Sequence, residues 1–153
     1  MKADKQQELQ RILMEADNYK KQIDSLSGQI QLLENTRMET GSAIMAMGSL
    51  KENNIGTEIL VPIGSNSFAR AELKDNKKVI VGAGAGISVE KTIDEAKEIL
   101  KSRNNELENT MNKLQNAIVE INNKLLELDS ISRKLIRELQ TSEDVPVTEK
   151  EDQ

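Results

Sequence analysis

Apolar residues recur along the first third of the chain in alternating steps of three and four: Leu9, Ile12, Ala16, Tyr19, Ile23, Leu26, Ile30 and Leu33, with Ile44 and Met47 resuming the rhythm. This spacing predicts a long helix that packs along a narrow seam, as in a coiled coil. No proline interrupts residues 1–50, and Gly28 and Gly41 lower helix propensity without ending the helix. A helix of about 45 residues would be about 70 Å long. The last third repeats the pattern through Ile93, Ala96, Leu100, Arg103 and Leu107, then Met111, Leu114, Ile118, Ile121, Leu125 and Leu128, and on through Ser132 to Leu135 and Leu139. Consecutive four-residue steps at Leu107 and Met111 read as a stutter, which locally unwinds a supercoil. Two helices of similar length fold back most simply as an antiparallel pair, residue i facing roughly residue 140 − i. That register sets Arg37 beside Arg103 on the seam, each turning outward to a carboxylate such as Glu34 or Glu106.

Between the helices, residues 55–91 change to strand spacing. "TEILVPI" (57–63) and "FARAEL" (68–73) flank "GSNS"; "KVIVG" (78–82) and "ISVEK" (87–91) flank "AGAG". These read as two hairpins joined by "KDNK" (74–77). Ile59, Val61 and Ile63 share one face, as do Val79 and Val81, or Ile87 and Val89; Leu60 and Ile80 lie on the opposite one. Pro62 has no N–H for a ladder and predicts an edge or a bulge. Four short strands bury too little surface to be stable alone, and they leave open edges. Strand addition from other subunits answers both deficits, and closure into an intersubunit β-barrel removes the edges. The nine apolar residues just named are therefore the expected assembly residues.

The stretch "VIVGAGAGISVEKTIDEA" (79–96) tests for a nucleotide site. A dinucleotide turn needs glycine at its first, third and sixth positions. Counting from Gly82 the sixth is Ile87, and from Gly84 it is Val89; no Gly-Lys-Ser/Thr comes after either. The next residues, "ISVEK", alternate as a strand does, and helical character begins only at "TIDEA", where Thr92 and Glu95 have capping-box spacing. Gly82, Gly84 and Gly86 are expected to turn one strand back on the next, and no cofactor is expected.

Composition narrows the chemistry. Of 153 residues, 31% are charged and 37% hydrophobic, and the aromatics are Tyr19 and Phe68, so long solvent-facing helices fit better than one globular core. Without cysteine or histidine, disulfides, thiolate metal sites and His-based catalysis are excluded. Ser65 and Ser67 have no evident partner base, so no enzyme is expected. The net charge of −5 is concentrated in residues 141–153, where five carboxylates face Lys150 alone; this predicts a disordered acidic tail. No basic footprint for nucleic acid or a membrane surface is present. The apolar runs, about nine residues at most, fall short of the roughly twenty that span a bilayer, and the expectation is a soluble, cytoplasmic protein.

The expected organisation is α+β and mainly α: a coiled-coil helix over 1–54, a double hairpin over 55–91, a second coiled-coil helix over 92–140, and the tail over 141–153. This layout, with "EILVPIGSNSFARAEL" (58–73) and then "KVIVGAGAGISVEKTIDEA" (78–96), resembles the alpha class of the prefoldin family over roughly residues 5–140. Two hairpins point to that class, because the beta class has one. The resemblance implies a hexamer of two alpha and four beta subunits built on joined β-barrels, with an archaeal source. It also implies an ATP-independent chaperone whose coiled-coil tips hold unfolded polypeptides and pass them to a group II chaperonin.

If so, the grip is expected near the chain ends, at Leu9, Ile12, Leu13, Met14, Leu135, Ile136 and Leu139. A two-helix seam buries one stripe, which should leave Leu13, Met14 and Ile136 partly exposed. The alternative is a structural spacer that oligomerises through its hairpins and never touches unfolded chains; such a spacer has no use for exposed apolar groups.

Overall fold

Heptad spacing without proline carries α1 unbroken from Lys2 to Glu52, through Gly28, Gly41 and Gly48. Each internal glycine costs about 1 kcal/mol relative to alanine, and the buried seam offsets it. The computed structural model describes residues 1–141, so the expected acidic tail lies, from residue 142 on, outside the described residues. After α1 come β1 (Glu58–Gly64), β2 (Ser67–Glu72), β3 (Lys78–Gly84), β4 (Ile87–Thr92) and α2 (Ile93–Thr141). The fold is α+β and mainly helical, two long helices with two antiparallel hairpins, β1–β2 and β3–β4, between them.

Both hairpins use the same device. Ser65 and Asn66 have φ of 46° and 57°, and Ala85 and Gly86 have 51° and 76°. Positive φ at both central residues marks the type I′ turn, whose twist matches the strands it joins. A glycine at positive φ precedes each turn, Gly64 (107°) and Gly84 (97°), where the ladder register slips after Pro62 and after Gly82. Gly84 and Gly86 thus make the turn. Gly82 does not: it pairs with Ser88 inside the ladder, a correction to the expectation that all three glycines turn the chain. β4 separates Gly86 from α2, so the glycines do not open onto a helix N-terminus. That helix starts on a capping box, with Thr92 Oγ1 accepting from the Glu95 N–H at 3.2 Å and Glu95 Oε2 accepting from the Thr92 N–H at 3.1 Å.

The chain divides into two compact units, Leu32–Met111 and the two flanking segments up to Gln31 and from Asn112. In the flanking unit, α1 and α2 run antiparallel: Lys5 Nζ lies 2.9 Å from Glu138 Oε2, and Lys124 Nζ lies 5.6 Å from the centre of the Tyr19 ring. Ile12, Ile121 and Ser132 are buried, and the Ser132 hydroxyl is satisfied by donating to the Asp129 carbonyl at 2.9 Å.

In the unit Leu32–Met111, Lys51 meets Asp94, and a Cβ at Gly48 would stand 3.3 Å from Lys97 Nζ. All of these partners come three to five positions later along α2 than the 140 − i register places them. In the unit Leu32–Met111, α1 runs to Glu52 and α2 begins at Ile93 directly from β4, which brings Lys51 opposite Asp94. Of the two seam arginines, Arg37 turns to Glu34 as expected, whereas Arg103 turns to a strand carbonyl where Glu106 was expected. Arg37 binds Glu34 in a two-pronged contact at 3.1 and 3.2 Å; that hydrogen bond first, then the charge of Glu34 and more weakly that of Glu108, raise the affinity of its guanidinium for its proton. Arg103 donates to the Gly82 carbonyl, and Asn104 shares its half-buried place on the seam, its Oδ1 buried without a hydrogen-bond partner.

Candidate functional site

Two apolar surfaces stand out, one in each unit. In the flanking unit, the seven residues expected to form a grip divide by helix face. Ile12 is 2% exposed, and Leu9, Leu135 and Leu139 are half-buried; these four hold the helices together. Leu13, Met14 and Ile136 are exposed, at 55%, 70% and 41%. Leu13 borders an open groove of about 480 Å³, whose apolar wall continues through Ile12, Ala16, Leu125, Leu126 and Leu128; Lys20, Asn122, Asp129 and Ser132 supply its polar groups. Met14 and Ile136 lie outside this groove lining.

Leu126, 69% exposed, is the residue that sequence reasoning missed, together with Val119 and Ile131. Its signal was present. In Ile12–Leu13 and Leu135–Ile136 a seam residue is doubled by a second apolar one, and Ile118–Val119 and Leu125–Leu126 repeat that doubling further along the helix. Only one residue of each pair fits the stripe, because a helix turns about 100° between neighbours.

The rim of this surface is ion-paired. Lys5, by hydrogen bond and then by charge, holds the Glu138 carboxyl below its ordinary range; Lys21 does the same for Asp17, and Arg11 for Glu8. Arg133 pairs with Asp129 at 2.9 Å.

The second surface belongs to the hairpins. On β1–β2, Leu60, Val61, Ile63 and Phe68 are all exposed and Ile59 is half-buried. On β3–β4, Ile80 and Ile87 are exposed, and Val89 is half-buried. Val79 and Val81 require correction as residues held open for a partner. Val81 is 4% exposed and packs with Ala96 and Leu100, and Val79 joins that cluster beside Ala43, Ile44, Met47 and Ile99. The alternation of β3 turns these valines towards this chain's own helices and leaves Ile80 outward.

Among the described residues no group of three or more His, Cys, Asp or Glu gathers as a metal site, and no helix is long and apolar enough to cross a membrane.

The prefoldin subunit family model matches residues 19–138. The chain is 39% identical over 103 residues to the prefoldin subunit alpha of Methanopyrus kandleri, covering 67% of this chain and 66% of that one. It is 34% identical over 106 residues to that of Methanobrevibacter smithii, covering 69% and 72%. The chain thus spans about two thirds of the relatives it matches, slightly less in the first case. Among solved structures, a filamentous PFD from Methanocaldococcus jannaschii superposes with a TM-score of 0.68 at 29% identity, over 76% of this chain and 97% of that one. The prefoldin beta subunit from Thermococcus strain KS-1 shares the fold, with a TM-score of 0.51 at 19% identity over 91% and 95%. Two helices joined by two hairpins, a family match across most of the chain, and relatives that are alpha subunits lead to one conclusion: this chain belongs to the prefoldin family.

Proposed function

We propose that this chain is the alpha-type subunit of a chaperone complex that captures unfolded polypeptide without nucleotide hydrolysis. The observation that carries this reading is the open groove where Leu13 and Leu126 stand exposed beside seam leucines. Exposed apolar side chains on an otherwise charged helix pair suit reversible capture of apolar segments, and they have no purpose in a spacer. One such side chain contributes on the order of 1.5–3 kcal/mol when buried by a ligand. Several copies acting on one polypeptide multiply that hold through avidity. The hairpins supply the multiplicity: Leu60, Ile63, Phe68, Ile80 and Ile87 are apolar, exposed and carried on strands with open edges, suited to pairing with hairpins of prefoldin beta subunits. An assembly of two alpha and four beta subunits, delivering its clients to a group II chaperonin, is the form this reading takes.

The test mixes the full chain and an archaeal prefoldin beta subunit with an aggregating unfolded protein in the absence of ATP. Suppressed aggregation by wild type, and its loss when Leu13 and Leu126 are changed to serine at unchanged oligomer mass, is the expected result. Equal protection by the double variant removes the groove as the grip.

A further inference from the structure

The two hairpins are attached differently. β1–β2 offers almost every side chain to solvent. β3–β4 instead rests on its own helices through Val81, which is buried against Ala96 and Leu100. Beside that contact, the β3 ladder is interrupted by the register slip between Gly82 and Gly84. The Gly82 carbonyl at this break accepts a hydrogen bond from Nη2 of Arg103, reaching across from α2. Sequence spacing put Arg103 on the seam, where a guanidinium packs poorly; its bond to a strand carbonyl gives that position a use. A planar guanidinium carries several donors in fixed geometry and restrains direction better than an ammonium.

We propose that Arg103 is a positioning residue for subunit assembly. It clamps the β3 bulge to α2 and fixes the angle at which the second hairpin leaves the helices. That hairpin therefore meets the hairpin of another prefoldin subunit already oriented, and less freedom is lost on association. The proposal rests on the reading that the chain assembles through its hairpins.

The experiment dilutes the complex of the full chain with a prefoldin beta subunit and monitors its dissociation by mass photometry. Arg103→Met, similar in length but without donors, is expected to raise the dissociation concentration roughly five- to tenfold, the effect of one net side-chain hydrogen bond. Arg103→Lys, which keeps a donor, recovers part of the loss. Gly82→Ala keeps the carbonyl, its added Cβ meets nothing within 4 Å, and it assembles like wild type. The isolated variants keep wild-type helicity. A dissociation concentration for Arg103→Met within about twofold of wild type overturns the proposal, as does a loss of assembly that tracks a loss of helicity. If the wild-type chain does not assemble at all, the assembly reading itself fails and the proposal with it.

Discussion

The Lys51 ammonium donates to both oxygens of the Asp94 carboxylate, at 2.9 and 3.0 Å, and so ties the last turn of α1 to the first turn of α2. Each charge also suits its own helix, a cation near a C-terminus and an anion near an N-terminus. The hydrogen bond from Lys51, and then its charge, hold the Asp94 carboxyl below its ordinary range. A lowered carboxyl contributes stability that is complete above the unfolded value, about 3.9 for Asp, and is lost as pH falls through the lower folded value. Thermal unfolding monitored by circular dichroism should therefore show a constant midpoint from about pH 6 to 8, where no histidine titrates, and a falling one below about pH 4. Asp94→Asn should show a smaller acid-induced fall. An identical fall in the variant assigns the loss to other carboxylates.

Neighbouring residues of β3 should separate folding from assembly. Val81→Ala removes buried methyl groups from the cluster with Ala96 and Leu100 and should cost the isolated chain about 1–2 kcal/mol, whereas Ile80→Ala should cost it little. Ile80→Lys should instead weaken association with a beta subunit while the isolated chain keeps its unfolding midpoint. Chemical denaturation of the chain alone, set beside the mass of the complex, makes the comparison. Equal effects of Val81→Ala and Ile80→Ala on the isolated chain contradict an inward Val81 and an outward Ile80.

Ile12 and Leu13 offer the same contrast at the groove. Ile12→Ala, at a residue 2% exposed, should destabilise the chain by about 2–4 kcal/mol. Leu13→Ser should change stability by less than about 0.5 kcal/mol, as expected of a surface site, and lower client capture. Melting curves and aggregation assays on matched complexes check both halves. A Leu13→Ser variant as unstable as Ile12→Ala shows Leu13 to be part of the seam.

Gly84 and Gly86 lie at positive φ and Gly82 does not. Gly84→Ala should therefore cost about 1–2 kcal/mol through backbone strain. Gly82→Ala should lie within about 0.5 kcal/mol of wild type. Unfolding midpoints of the two single variants settle the matter, and a costlier change at Gly82 contradicts the turn geometry.

The helices, the hairpins and their turns were legible in the sequence because each rests on local periodicity. Steps of three and four place Ile12 on the apolar stripe of α1, and Ile121 and Ser132 on that of α2, whatever they pack against. The spacing of Thr92 and Glu95 announces its own cap, and "GSNS" and "AGAG" between alternating runs announce the two hairpin turns. The exposed places of Leu13, Met14 and Ile136 came from the same rule, since a two-helix seam buries one stripe. Leu126 escaped only because the rule was applied at the chain ends alone.

Tertiary structure decided what periodicity leaves degenerate. Alternation along β3 separates Val81 from Ile80 but does not say which face meets a helix; contact with Ala96 and Leu100 chose Val81. A heptad repeat fits a partner equally well after a slip of one turn. Contacts between the helices chose one register within each unit, Lys5 with Glu138 and Lys51 with Asp94, and brought Arg103 to the Gly82 carbonyl. The physical reason is common to both cases: local patterning fixes which face of an element is apolar, whereas only the meeting of distant segments fixes what that face touches.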